Sequence, residues 1–262
     1  MAKTDWIELG CAGGVERIPI LYEDRSLLAI DKPAGWMLVP KHWRKTEWNL
    51  QAAIESSIAA RDFWARSRSL KFLRYVHRLD ADTSGVLLLA KSAGAVDAYS
   101  GLFEKRRVEK AYLAVVNGWP KESEWVCRLK LTDAVGKGRK VRVDARHGKE
   151  AETRFRVLQR RRDDRLGDIT LVEAQPLTGR THQIRVHLAE SGQPVVGDAL
   201  YGRDEAGGPP WERAERFPLG LRAVCLSYID PFQKRRVRIE APAAEFVKAF
   251  GFDIGSSANA PA

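Results

Sequence analysis

From Gly85 onward the chain is a succession of short runs rich in β-branched and aromatic residues: GVLLLAK, VEKAYLAVVNG, EWVCRLKL, AETRFRVLQR, DITLVEAQP, RAVCLSY and RRVRIEAP. TRFRVLQ alternates strictly between polar and apolar, the period of a strand with one face on a core. Upstream, Leu27, Leu28 and Ile30 of IPILYEDRSLLAIDKP run into the turn DKPAGW, whose proline and glycine close a first strand. Helical spacing is confined to three places. Leu50, Ala53, Ile54 and Ile58 share one face in NLQAAIESSIAARDFWAR, residues 49–66. Ile184 and Leu188 lie four apart in RTHQIRVHLAESG, which Gly192 ends as a C′ residue, and AAEFVKAF predicts a last short helix. Many strands with few helices predict an α+β fold: a central mixed, mainly antiparallel sheet with flanking helices. No repeat or long linker divides the chain. One domain is expected over residues 18–252, with a poorly ordered extension at 1–17 and a flexible tail at 253–262.

With 262 residues, 44% of them hydrophobic, the chain can bury a sizeable core. It lacks the run of about 20 apolar residues needed to cross a bilayer. MAKTDWIELGCAGG has no secretory or transit character, so a cytoplasmic location away from membranes is expected. Cys11, Cys127 and Cys225 are odd in number and scattered, which suits reduced thiols rather than disulfides or zinc. Lys and Arg outnumber Asp and Glu by 44 to 34, a balance that points to a polyanionic partner. The excess is concentrated in KGRKVRVDARHGK, residues 137–149, and in QKRRVRIE near the end. Lys137, Arg139 and Lys140 are candidate phosphate contacts, against the alternative of a solvated basic face.

HRLDADTSGVLLLAK, residues 77–91, sets carboxylates in front of a strand in this basic chain. Asp80, Asp82, Ser84 and Gly85 mimic half a calcium loop, but Lys91 stands where that loop needs its bidentate glutamate. His77, His182 and His187 make no zinc pattern, since the last two are five apart and no HExxH exists. A zinc nucleobase deaminase would need a cysteine pair and an HxE, and both are missing. Asp82 reads as a turn former beside Thr83, Ser84 and Gly85. Asp80 has a counterpart in PLTGRTHQIRVHLAESGQPVVGDALYG, residues 176–202, where Arg180, His182, Gln183, Arg185 and His187 crowd the start of a helix. Such a donor set wants an anion, either a phosphate or the Asp80 carboxylate.

In chain order, ILYEDRSLLAIDKPAGW, HRLDADTSGVLLLAK, EKAYLAVVNG and LTGRTHQIRVHLAESGQPVVGDALYG resemble the RluA-type pseudouridine synthases, over about residues 18–230. The resemblance implies isomerisation of uridine in RNA to pseudouridine, with no cofactor and no metal. It implies Asp80 as the catalytic aspartate, Tyr112 as the active-site tyrosine, Arg185 as the aspartate's basic partner, and Arg78 in the space left by an everted base. Arg180, His182 and Lys110 are further candidates for holding RNA, with Asp198 of GDALYG orienting the helix or an arginine, and Lys32 and Gly35 shaping a far wall. The expected partner is a ribosomal or transfer RNA stem-loop, bound by a monomer with no obligatory protein partner. The small N-terminal RNA-binding domain of many relatives has no counterpart before the first match, and MLVPKHWRKTEW, with Trp43 and Trp48, departs from their usual valine-rich run.

The residue types suit that chemistry. The N-glycosidic bond must break, the base must turn while held, and carbon 5 must attack the sugar. One carboxylate serves, either on an oxocarbenium-like sugar or by taking the proton at carbon 2′. An adjacent arginine keeps it ionised against desolvation. Everting the nucleotide costs a few kcal/mol, and stacking on Tyr112 returns about 1 to 3 kcal/mol. The rival from another class is an RNA-binding or RNA-chaperone protein on the same fold.

Overall fold

A computed structural model of the chain describes residues 3–11, 13–38, 48–133, 140–202 and 217–253. Two compact units result, Met1–Val108 with Leu226–Ala241, and Glu109–Cys225 with Pro242–Ala262.

In the first unit, β1 (Trp6–Cys11), β2 (Gly14–Glu23), β3 (Leu27–Lys32) and β5 (Ser84–Ala90) pair antiparallel in that order, and β4 (Arg74–Tyr75) joins β5. β5 carries the run GVLLLA because it is buried from Gly85 to Ala90. Val86, Leu88 and Ala90 pack with Leu27 and Ala29 of β3 and with Tyr99 of helix α3 (Ala93–Glu104). Ser92 caps α3 by accepting from Ala95 N. β11 (Arg236–Glu240) adds Val237 and Ile239 to that core.

Two sequence expectations change here. The extension expected to be poorly ordered contains β1 and the start of β2, with Ile7 and Leu9 fully buried. The helix expected over 49–66 is broken into α1 (Leu50–Ala59) and α2 (Phe63–Arg66), with Arg61 between them at φ 59°, outside helical space. Of the expected tail, only Asp253 lies within the described residues.

In the second unit, β6 (Val108–Asn117), β9 (Gly167–Pro176), β8 (Thr153–Asp163) and β7 (Glu124–Cys127) form an antiparallel ladder in that order. Alternation along β6 and β9 sends Ala114, Val116, Val172 and Ala174 to one face and Leu113, Val115, Ile169 and Leu171 to the other. Helix α4 (Gln183–Glu190) covers the first face through Ile184 and Leu188, each worth about 1.5 to 3 kcal/mol of burial. Helix α5 (Ala244–Lys248) covers the second through Val247. β10 (Leu221–Ile229) belongs to the second unit as far as Cys225 and to the first from Leu226. No helix among the described residues is long and apolar enough to cross a membrane.

Candidate active site

Asp80 sits half-buried in the turn between Leu79, which is buried, and β5, with Arg78 exposed beside it. That turn is fastened by Lys32, the residue expected with Gly35 to shape a far wall. Lys32 ends β3 opposite Gly85, and its ammonium is completely buried. Nζ donates to three carbonyls, Ala81 O at 2.7 Å, Thr83 O at 2.9 Å and Pro33 O at 2.9 Å. Gly35, at φ 89°, donates its N–H to the same Ala81 O at 2.9 Å. The segment DKPAG is therefore tied to the segment that carries Asp80. Burial pulls the Lys32 ammonium down to about 8, opposed by the negative charges of Asp82, Asp80 and Glu16. His77 is structural, accepting from Leu88 N at 3.1 Å and stacking on Phe103 at 4.5 Å.

The second unit holds the other candidates. Arg185 is almost wholly buried on α4, and its fork meets a buried carboxylate: Nε to Asp198 Oδ2 and Nη2 to Oδ1, both at 2.7 Å. Burial alone would raise the Asp198 carboxyl, but Arg185 and the amides of Leu200 and Tyr201 hold it below the ordinary carboxylate range. Gly197 precedes Asp198 at φ 72°, and a Cβ there would run into Phe217 and Pro218 backbone oxygens, so the turn that aims Asp198 requires glycine. Asp198 orienting an arginine is the expectation that the geometry carries out.

The remaining donors of TGRTHQIRVH do different jobs. Gln183 points inward: its Oε1 accepts from Thr178 Oγ1 and Arg180 N, while Nε2 donates to Glu152 O and Thr153 Oγ1. His187 is buried between Thr153 Oγ1 at 2.9 Å and Leu129 O at 3.2 Å, and burial lowers its pKa, keeping the ring neutral. These two lock α4 to β8. Arg180 Nε donates to Glu150 O at 3.1 Å, and Lys110 Nζ to Thr178 O at 2.8 Å. His182 begins α4 in the left-handed region, φ 55°, its Nδ1 2.9 Å from Tyr201 Oη.

Tyr112 is half-buried on β6 opposite Ala174, against the α4 face of the sheet. Lys140 is exposed, its Nζ 5.4 Å from the centre of the Tyr201 ring. Lys137, Arg139 and Trp43 lie outside the described residues. Asp80 and Arg78 thus stand in the first unit, and Tyr112, Arg185, Arg180, His182, Lys110 and Lys140 in the second. Among the described residues, no group of three or more His, Cys, Asp or Glu is arranged to hold a metal ion.

A family model described as RNA pseudouridylate synthase matches residues 26–190. The chain is 36% identical over 231 residues to the ribosomal large subunit pseudouridine synthase C of Escherichia coli (strain K12), covering 87% of this chain and 67% of that protein. It is 33% identical over 234 residues to the protein of that name from Buchnera aphidicola subsp. Schizaphis graminum, covering 88% and 69%. The chain therefore spans about two thirds of the length of these relatives. Among solved structures it is similar to human RNA pseudouridylate synthase domain containing 1, with a TM-score of 0.66 and 28% identity over 86% of this chain and 83% of that one. Human RNA pseudouridylate synthase domain containing 4 gives the same TM-score at 25% identity, covering 88% and 91%.

Proposed function

Because the chain belongs to the RNA pseudouridylate synthase family, whose members isomerise uridine in RNA to pseudouridine, we propose that its substrate is large-subunit ribosomal RNA and that Asp80 is the catalytic carboxylate. The names of the bacterial relatives support the choice of RNA, and a stem-loop in the cytoplasm is the form in which it would be met. The observation that carries the assignment of Asp80 is its turn. A buried ammonium donating to Ala81 O and Thr83 O fixes the backbone on the C-terminal side of Asp80, the kind of support a reacting carboxylate needs.

In this reading Asp80 acts on the sugar of an everted uridine, by attack on carbon 1′ or by removing the proton at carbon 2′. Tyr112 stacks on the uracil while the base turns, and its hydroxyl moves a proton at the end. Arg185, already oriented by Asp198, keeps the reacting carboxylate ionised. Arg78 fills the gap left in the RNA stack. Lys110, Arg180, His182 and the basic strip Lys137, Arg139 and Lys140 hold the RNA.

The test is tritium release from carbon-5-labelled ribosomal RNA, followed by mapping of the modified uridine. Asp80→Asn is expected to abolish release while RNA affinity stays within about tenfold. Release by Asp80→Asn at the wild-type rate overturns the role of Asp80. Tight binding without release by the wild type replaces the enzyme reading with the RNA-chaperone one.

A further inference from the structure

Tyr201, in GDALYG, contacts three of the second unit's candidate residues, Arg185, His182 and Lys140. Its ring faces the Arg185 guanidinium at 5.3 Å and the Lys140 ammonium at 5.4 Å. Its hydroxyl accepts from Val141 N at 2.8 Å and lies 2.9 Å from His182 Nδ1, with the His182 ring edge-on to the phenol at 5.6 Å. Around it, Leu131, Val141, Ala151 and Val186 form a small core of their own, which packs Leu131, Val141 and Ala151 against Val186 of α4. The loop of Asp198 that orients Arg185 also supplies the Tyr201 backbone N–H to Asp198 Oδ1 at 3.1 Å.

These contacts divide by type. The phenol ring bears on Arg185, whose fork is held by Asp198; a flat aromatic face beside a guanidinium restricts rotation about the plane of the fork. The hydroxyl bears on two backbone features. One is Val141, which follows Lys140 in the basic segment and whose N–H needs an acceptor because the residue is buried. The other is His182, whose left-handed backbone at the start of α4 is strained for a residue with a Cβ and whose side chain makes no capping bond.

We propose that Tyr201 is a positioning residue for the isomerisation: its ring sets the Arg185 guanidinium, and its hydroxyl ties the RNA-contacting basic segment at Lys140–Val141 to His182, the residue that precedes the helix carrying Arg185. This inference rests on the proposed roles of Arg185 and of the basic strip. Phosphates engaged at Lys140 are thereby coupled to the geometry of Arg185, so that RNA docked on the segment meets an arginine already in place.

The test uses the full chain, a large-subunit ribosomal RNA transcript and two substitutions. Tyr201→Phe keeps the ring and removes the hydroxyl; Tyr201→Leu removes both. Tyr201→Phe is expected to keep kcat within about twofold while raising KM for the transcript about fivefold, with faster hydrogen exchange at the Val141 amide. Tyr201→Leu is expected to lose about tenfold or more in kcat as well. Two results overturn the proposal: Tyr201→Leu at wild-type kcat, or both variants losing kcat equally alongside an equal fall in Tm, which marks a merely structural residue. Unchanged Val141 exchange in Tyr201→Phe removes the hydroxyl's part. A wild type that leaves the transcript unmodified refutes the functional reading itself, a result distinct from all of these.

Discussion

Replacing Lys32 by methionine isolates what a buried ammonium does for the Asp80 turn. The aliphatic stem has a close match in methionine, so packing changes little. The three donated hydrogen bonds vanish. Ala81 O keeps the Gly35 N–H, whereas Thr83 O and Pro33 O lose the ammonium. Thr83 O, buried, and Pro33 O, partly buried, deprived at about 1 to 3 kcal/mol each predict a loss of about 2 to 6 kcal/mol, read as a lower urea midpoint at unchanged slope. The loss falls on the segment that carries Asp80, so kcat for pseudouridine formation should drop more than RNA affinity.

Titration of Lys32 separates the local effect from the global one. Above pH about 8 the amine keeps two hydrogens and turns a lone pair toward one of its carbonyls, so activity should fall through that pH with a single ionisation. Global stability moves the other way. The unfolded chain holds this proton up to about 10.5, so between about 8 and 10.5 it binds more protons than the folded one, and the lysine's share of stability rises with pH. Two and a half pH units set a ceiling of about 3 kcal/mol. The signature is an enzyme that loses activity at alkaline pH without melting earlier from this group, and an alkaline limb that disappears in Lys32→Met. A variant within about 0.5 kcal/mol of wild type and fully active, or a wild-type profile flat to pH 10, would refute the clamp.

Asp198→Asn removes the charge facing the buried Arg185 fork, and uncompensated burial predicts about 3 kcal/mol lost in chemical denaturation, together with a lower kcat in tritium release. Glu23 is held down at about 2: burial would raise it, but Lys91, Lys3 and Arg68 outweigh that. Its contribution is complete above about 4.5 and is lost as pH falls toward about 2, so Glu23→Gln should flatten the acid limb of a stability–pH curve over that window. Neutralising Lys137, Arg139 and Lys140 together should weaken RNA binding uniformly and reduce the slope of log affinity against log salt by about 2 to 3; an unchanged slope in filter binding moves the RNA path elsewhere.

The strands were legible because burial on one or both faces writes itself as alternation or as an apolar run. TRFRVLQ and GVLLLA become β8 and β5. What failed shows where that signal ends. Ile7 and Leu9 alternate in WIELGC as clearly as any later strand, but a position near the start invites the reading of a loose extension, and only pairing with Ile18 and Glu16 reveals a strand. Helix α3 escapes notice because only Ala95 and Tyr99 of its residues are buried, too few to mark a stripe among Ala93, Gly94 and Gly101. Lys32 reads from the sequence as a wall residue in the turn DKPAGW, and only the register with Gly85 shows it buried against the Asp80 segment.

Helix α4 is the instructive case. Six consecutive residues, Gln183 to Leu188, are buried, so no amphipathic pattern can separate the face that meets the core from the face that meets a substrate. Read from spacing alone, its donors form one set seeking one anion. Burial imposes a stricter rule, that each enclosed polar group must find its own partner. Gln183 finds Thr178 and Thr153, His187 finds Thr153 and the Leu129 carbonyl, and Arg185, the only permanent charge among them, finds Asp198. A neutral partner would serve the first two, but a buried guanidinium requires a carboxylate, and that carboxylate requires a turn which Gly197 alone can make. The Gly-Asp pair of GDALYG is thus a consequence of placing Arg185 inside the protein, legible in the sequence once Arg185 is known to be buried and not before.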